Sequence, residues 1–422
     1  MRERPEKLLR HLFDIGVEAV AAERCLPTYL PKPPTGRTII VGCGKAAGAM
    51  AKALEDAWND PVSGLVIVPH GYKTECKYIE VNEAGHPVPD AASQIAAAKI
   101  LELVSQLKSN DLVIALISGG GSSLLSAPAA GISLEDKQKV NFELLASGAS
   151  ITEINVVRRA ISRIKGGRLA EAAHPARVVT LIVSDVPGDD PTFVASGPTL
   201  QSSPSEPVLN IIDRYKIQIP SNVRNVLSRR RQPIIDNDIF ERNSVAIVAR
   251  ASDAINAAAS EAKRHGWEPI ILGDSITGEA KNIANDNAQH ALETARFRSS
   301  GSRPLVLLSG GELTVTLGAS EGKGGPNSEY MLALALALNR DPKIWALSCD
   351  TDGIDGNSLN AGAFITPYSL SGAIEMGLDP TGLLTAHRSA TFFDTLSHAI
   401  VTGPTLTNVN DFRALAICPG AY

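Results

Sequence analysis

The sequence predicts an α/β protein built from mainly parallel sheets, and three observations carry that expectation. Short apolar runs alternate with helical stretches along most of the chain, the pattern of a parallel sheet covered by helices. The runs end in glycine turns, at 42–44, 119–121 and 310–311. With 422 residues, the chain is also too long for one compact core, so two domains are expected.

Residues 5–25 read as an amphipathic helix, with Leu8, Leu9, Leu12, Phe13, Ile15 and Val20 near helical spacing. The Pro-rich TYLPKPPTG leads into a first strand, Thr38–Val41, which ends at GCGKAAGAMAKALEDA, a glycine turn that opens a helix. GLVIVPHG is a second strand. HPVPD, with Asp90 as N-cap, precedes an Ala-rich helix from Ala91 to Leu107. The next strand, Leu112 to Ile117, stops at Ser118, Gly119, Gly120, Gly121, Ser122 and Ser123. Leu134–Ser147 and Ile154–Ala173 read as helices, and Arg177–Val183 as a strand ending at SDVPGDDP.

Composition shifts over residues 200–243, where QSSPSEP and SRRRQP bound a polar connecting region. The expected domains are therefore 1–240 and 241–422. In the second, strands Ser244–Ala249, Pro269–Gly273, Pro304–Leu308 and Lys343–Ser348 alternate with helices at 252–265 and 277–297 and with MLALALALN.

Apolar residues make up 44% of the chain and charged residues 20%, which is ordinary for a soluble globular protein. A net charge of −5 argues against nucleic acid as a partner. No apolar run approaches the roughly 18 residues a membrane helix needs. The opening MRERPEKLLRHLFDIGVEAV is charged and helical in pattern, unlike a signal peptide. Five scattered cysteines without a C-x-x-C pair suggest neither a disulfide framework nor a zinc site, and suit a reducing cytoplasm.

The chemistry concentrates at strand ends. After Leu112–Ile117, three glycines let the backbone turn sharply and bring its N–H groups to a ligand. Strand, glycine turn and helix N-terminus together make an anion site, so Ser118–Ser123 are expected to bind phosphate or carboxylate. Gly42-Cys43-Gly44-Lys45-Ala46-Ala47 satisfies G-x-G-x-x-A, but the second strand ends Val68-Pro69-His70, without the acid a dinucleotide ribose requires. Lys45 is the residue of interest in that turn, because a point charge beside N–H groups suits phosphate oxygens. No Walker A motif occurs.

Asp185, Asp189 and Asp190 crowd another strand end. They offer hard oxygen ligands for Mg²⁺, although Pro-Gly-Asp is also turn chemistry. Asp350, Asp352 and Asp355 form a similar cluster. An EF-hand would need Glu where Ala361 stands, which leaves Mg²⁺ or ribose contacts. Among Arg158, Arg159, Arg163, Lys165 and Arg168, one inward-facing cation would clamp a carboxylate, with most of the others on a solvated helix face. His86 reads equally as a base and as part of a rigid loop. No G-x-S-x-G elbow supports a serine hydrolase.

In order, GCGKAAGAMAKALE, EAGHPVPD, LISGGGSSLL, INVVRRAISRIKGGRLA, VSDVPGDDPTFVASGPT, LSGGELTV, TDGIDG and TGPTLTNVNDF resemble the two-domain glycerate 2-kinases that end in a MOFRL domain. Members often carry the label hydroxypyruvate reductase. The resemblance covers nearly the whole chain. It implies two Rossmann-like domains with the active site in the cleft between them, and ATP, Mg²⁺ and D-glycerate giving 2-phosphoglycerate.

By the same resemblance Lys45 is the catalytic lysine and Asp189 falls in the family's acidic loop; Asp189 is expected to be catalytic and, with Asp190, to hold the metal. Ser118–Ser123 form the phosphate loop. Gly44, Arg158, Lys165, Glu312, Lys323, Asn327, Asp352, Thr405 and Asn408 join the substrate- and phosphate-binding set. One departure stands out: many members read GRGGRNQE, and Pro326 occupies the place of an arginine believed to be catalytic. Lys323 is expected to supply the lost charge. The alternatives are an NAD(P)H-dependent hydroxypyruvate reductase and a non-catalytic sugar-phosphate or nucleotide sensor. The expected setting is a cytoplasmic monomer or homodimer.

Overall fold

The computed structural model describes residues 4–202, 206–229, 235–317 and 322–419. Parts of QSSPSEP and SRRRQP therefore lie outside the described residues. The chain forms two compact units, one of residues 22–248 and one of 1–21 with 249–422. Each has its own six-stranded sheet.

The first unit contains β1 (Thr38–Cys43), β2 (Val62–Pro69), β3 (Ile79–Ala84), β4 (Leu112–Ser118), β5 (Arg177–Val183) and β6 (Ser244–Ala249). They lie in the order β3-β2-β1-β4-β5-β6. The pairings from β3 through β5 are parallel. Every residue of β1 and β4 is buried, as expected of central strands covered on both faces, and this is why they read as unbroken apolar runs. The chain works outward from β1 through β3, then returns to lay β4 on the other side of β1. That reversal is the switch point where ligands bind in doubly wound sheets.

Three features of this unit depart from expectation. IEVNEA forms the edge strand β3, which its two acids concealed; charged edges are common protection against pairing with other chains. Ser244–Ala249, expected to open the second domain, is instead the edge strand β6 of this sheet, and its first two residues are exposed. The predicted helix Ile154–Ala173 is two helices, Ile151–Ala160 and Arg168–Ala173. Gly166 and Gly167, at φ +63° and +85°, turn the chain between them in a left-handed conformation that an apolar periodicity does not reveal.

The second unit contains β7 (Glu268–Gly273), β8 (Gly278–Glu279), β9 (Leu305–Gly311), β10 (Leu313–Thr314), β11 (Ile344–Asp350), β12 (Gly362–Ile365), β13 (Ala399–Ile400) and β14 (Asp411–Ile417). The large sheet runs β13-β12-β11-β14-β9-β7, and β8 pairs with β10 separately. Only β7 and β9 pair in parallel in the large sheet; β9/β14, β14/β11, β11/β12 and β12/β13 are antiparallel. The expectation of a mainly parallel sheet therefore fails in this unit. The cause is β14, DFRALAI, which inserts at the sheet centre antiparallel to both neighbours. Its Asp411 and Arg413 hid it from a search for apolar runs.

β9 also runs on through Ser309, Gly310 and Gly311, which pair with Arg413, Phe412 and Asp411. The glycine turn expected at 310–311 is thus a stretch of strand.

The N-terminal helix, Pro5–Ala19, was expected within the first domain. It packs instead in the second unit. Leu8, Leu9, Leu12 and Phe13 are buried in one cluster with Ile255, Ala258, Trp345 and Phe412. Burying each such side chain contributes about 1.5–3 kcal/mol, so the helix is an integral layer of that unit.

Candidate functional site

The first unit's switch point brings two predicted turns together. Cys43 is level with Ile117 in the β1/β4 register, so the residues that follow each strand meet at the sheet's carboxyl edge. The Lys45 N–H donates to Gly119 O at 2.8 Å, and Gly44 N–H to Ile67 O at 3.0 Å. Gly44 has φ +129°, and a Cβ there would stand 2.1 Å from Ser118 Oγ. At Gly120, φ +81°, a Cβ would stand 2.9 Å from His86 Nε2 and 3.5 Å from Lys45 Cγ. Both glycines are needed for close approach. Lys45, the Ser118–Ser123 loop and the exposed His86 ring therefore share one corner.

The expected helix dipole behind the serine loop is absent, because the helix Gly121–Leu124 is a single turn. The longer helix at this corner is Ala47–Ala57, which follows Lys45. The loop's hydroxyls are also already engaged, contrary to their expected role on phosphate. Ser118 Oγ is buried and accepts from Ala46 N–H at 3.0 Å. Ser123 Oγ donates to Gly120 O at 3.1 Å. Ser196 Oγ donates to Asn155 Oδ1 at 2.7 Å, so at the 2.8 Å contact between Ser122 and Ser196 it is Ser122 that donates.

Ser196 and Asn155 were missed by sequence reading, although both sit in quoted motifs. Ala195, Ser196 and Gly197 form a left-handed run at φ +51°, +64° and +60°. Alanine and serine rarely adopt this conformation, and holding them in it costs of order 1 kcal/mol or more each. The run has a clear effect. It turns the Ala195 carbonyl to Lys165 Nζ, 3.2 Å away, and the Ser196 carbonyl to Arg159 Nε at 3.3 Å.

The interior beside the loop is strongly basic. Lys165 is fully buried, and burial pushes its ammonium down to about 7, with Arg158 and Arg159 adding to the effect and Cys43 opposing it. Lys137, not singled out from sequence, is also buried, with Nζ 2.7 Å from Ser126 Oγ. Burial lowers its pKa well below the usual range, helped by Lys165 and Arg158. Arg158 is half-buried and reaches Asn141 Oδ1 at 3.4 Å. None of the groups shifting either lysine is a carboxylate. Most of the run Arg158–Arg168 was expected on a solvated face; instead only Arg163 is exposed, Arg158, Arg159 and Arg168 are half-buried, and Lys165 is buried.

The acidic loop is built as a turn. Asp189 is half-buried with φ +57°, and its N–H donates to Val186 O at 2.9 Å. Asp190 Oδ1 accepts from Thr192 N–H at 2.9 Å and from its hydroxyl at 2.7 Å. Thr192 O in turn accepts from Arg159 Nη2 at 2.6 Å, which connects the acidic loop to the basic interior.

The candidates of the second unit are held differently. Asn327 is buried; its amide donates to Asp411 Oδ1 at 2.6 Å and its Oδ1 accepts from Ser348 Oγ. It is a buried residue whose amide is held inside the fold. Lys323 pairs with Asp394 at 2.9 Å on the surface, with both side chains well exposed. Asp355 accepts from the N–H groups of Asn327 and Ser328 at 2.8 Å each and caps the helix Pro326–Leu338. Burial raises its pKa to about 6 against those bonds. Asp352 is buried, and its Oδ1 accepts from Ile354 N–H. Thr405 N–H donates to Asp352 O at 3.1 Å, and Asn408 Oδ1 accepts from Asn410 N–H. Glu312 is exposed beyond β9. The fully buried Arg413, missed from sequence, binds Asp411 Oδ2 at 2.9 Å and Gly310 O at 2.6 Å.

An acid that sequence reading did not find also approaches β2. Glu83 on β3 accepts from Gly71 N–H at 2.6 Å.

Residues 8–228 match the model of DUF4147, described as a domain of unknown function, and residues 305–411 match the MOFRL family. An Agrobacterium vitis protein provisionally named hydroxypyruvate reductase is 46% identical over 97% of this chain and 94% of its own. The D-glycerate 2-kinase of Thermotoga maritima is 36% identical over 96% and 98%. The crystal structure of a glycerate kinase from Thermotoga maritima superposes with TM-score 0.86 at 35% identity, covering 98% of this chain and 99% of that one.

Proposed function

Since the chain belongs to the glycerate kinase family that joins a DUF4147 region to a MOFRL domain, we propose that it is a glycerate 2-kinase using ATP and Mg²⁺. The 2-hydroxyl oxygen of D-glycerate attacks the γ-phosphorus, the bond to the β,γ-bridging oxygen breaks, and ADP and 2-phosphoglycerate leave. The hydroxyl proton passes to a base or to water.

The observation that carries this reading is the switch-point corner, where Lys45 meets the Gly119–Gly121 backbone beside two buried lysines, Lys137 and Lys165, that no carboxylate neutralises. Burial pushes Lys165 and Lys137 toward their uncharged forms, and an arriving anion would draw their protons back. Lys45 then stabilises the equatorial oxygens of the phosphoryl group in flight. Backbone N–H groups of the serine–glycine loop bind phosphate, while Arg158 and Arg159 supply the attracting field and Lys165 and Lys137 add to it when protonated. Asp189 and Asp190 fit Mg²⁺ as hard oxygen donors and would hold it; the ion supplies further neutralisation of phosphate charge. With Pro326 in the arginine's place and Lys323 paired to Asp394, the first unit's cations carry the charge stabilisation.

The competing reductase reading draws on the names of some relatives and on Glu83 near the end of β2. One experiment separates the two. Purified protein with ATP, Mg²⁺ and D-glycerate should release ADP and 2-phosphoglycerate, identified by phosphorus NMR. NADH oxidation with hydroxypyruvate and no ADP would overturn the kinase reading. Ligand binding without turnover of either pair would leave a sensor.

A further inference from the structure

Away from this corner, the second unit brings together three metal-ligating side chains that its sequence holds 250 residues apart. His11 lies on the helix Pro5–Ala19. Glu261 lies on the helix Ala251–Arg264, and His265 ends that helix. Glu261 Oε1 is 3.2 Å from His11 Nε2 and 3.1 Å from His265 Nε2. The ligand atoms of all three lie within 4.8 Å of one another.

Several features distinguish this group from a surface ion pair. Both imidazoles direct the same type of atom, Nε2, at one carboxylate oxygen. The Glu261 side chain is 10% exposed, whereas those of His11 and His265 are 41% and 34% exposed, which leaves solvent access. Glu261 Oε2 is buried and accepts no hydrogen bond. The Arg264 guanidinium lies against it as an ion pair outside hydrogen-bonding geometry.

The spacing is informative. Around a tetrahedral ion with bonds near 2.0–2.1 Å, ligand atoms are separated by about 3.3–3.4 Å. The two His–Glu distances nearly meet this already. The two imidazole rings stand 5.5 Å apart centre to centre, and their ligand nitrogens lie within 4.8 Å of each other.

We propose that His11, Glu261 and His265 form a site for a divalent transition-metal ion of the zinc type. Two imidazoles and one carboxylate favour Zn²⁺, Ni²⁺ or Cu²⁺ over Mg²⁺. The fourth position is left to water. Arg264 competes with the ion for Glu261, but its side chain is 72% exposed and an exposed pair is cheaply broken. The bound ion cross-links the N-terminal helix to the helix Ala251–Arg264 inside one unit. Its role is structural, and it is independent of the kinase reading.

The test is calorimetric titration of metal-free full-length protein with zinc chloride, with cobalt(II) absorption as a second readout. One equivalent should bind, raise the thermal midpoint and, as cobalt, give a tetrahedral spectrum. Loss of outer-shell partners alone weakens metal sites about 10–100-fold, so His11→Ala and His265→Ala should each weaken zinc at least about tenfold. Arg264→Ala should tighten it by removing the competing cation. Absence of a saturable equivalent in the wild type would overturn the site, as would zinc affinity unchanged in the histidine variants or weakened in Arg264→Ala. Loss of kinase turnover alone would bear only on the proposed function.

Discussion

Each unit gathers glycine turns and charged residues at strand ends, and in sequence the two gatherings look alike. GCGKAAG and SGGGSS mark the first; GKGGPNSE and DTDGIDG mark the second. Their charge balance differs. In the second unit Asp355, Asn327, Asp411 and Arg413 are linked by hydrogen bonds and an ion pair within the fold. In the first unit Lys137 and Lys165 are buried with carbonyl or hydroxyl partners and no countercharge. A saturated network stabilises a fold; an unbalanced one is prepared for a ligand. Residue types alone did not separate the two cases.

The largest effect expected from this contrast is on stability in the second unit. Asp411→Ala strands the Arg413 guanidinium in the interior and should cost about 3–5 kcal/mol in chemical denaturation. If stability changed by less than about 1 kcal/mol while turnover collapsed, the second corner would be a working site like the first.

Lys45→Ala probes the opposite side of the comparison. Losing one transition-state contact costs on the order of 10²–10³ in rate. Turnover should fall by about that factor with the melting temperature unchanged, and Lys45→Arg should restore part of it, since the guanidinium is larger and planar. A change in KM with kcat intact would make Lys45 a binding residue only.

The third prediction concerns pH. Burial depresses Lys165 from 10.5 to about 7, so above pH 7 the native chain binds fewer protons than the unfolded chain. Stability from this group therefore rises with pH and is lost as pH falls through about 7. Lys137, lowered by the same cause, acts in the same sense. The Cys43 thiol, pushed by burial from 9.0 to about 12, opposes them once pH exceeds its ordinary value. Between pH 7 and 9 Lys165 should contribute up to about 1.4 kcal/mol per unit, and denaturation of Lys165→Met should show a flatter profile. An unchanged slope would mean that Lys165 stays charged, balanced by something within the fold.

The smallest effect is expected at Lys323. Its partner Asp394 is 40% exposed, and exposed pairs contribute about 0–1 kcal/mol. Lys323→Ala should leave stability nearly unchanged and turnover intact. A large loss of kcat would restore Lys323 as the substitute for the family arginine.

Some of this contrast was legible in the sequence. β1 and β4 announced themselves as apolar runs, and Lys45 and the serine–glycine loop were read as neighbours if those strands were adjacent, which they are. Gly44 and Gly120 marked the points of close approach. The strands β3 and β14 were not legible, because charged residues interrupt their apolar pattern; in β14 those charges are buried only because Asp411 and Arg413 neutralise each other.

By itself, then, the sequence determined the alternation of strands and helices, the glycine turns at the ends of β1 and β4, and the motifs that mark the family. These are local properties, written in periodicity and in residues with unusual backbone freedom. Only the tertiary structure decided which sheet β6 joins, where the N-terminal helix packs, that Lys165 turns inward, and that Ser118 and Asn327 are already bonded. Each of these depends on partners distant in the chain, and whether a polar group is satisfied or left waiting is a property of its surroundings, not of its identity.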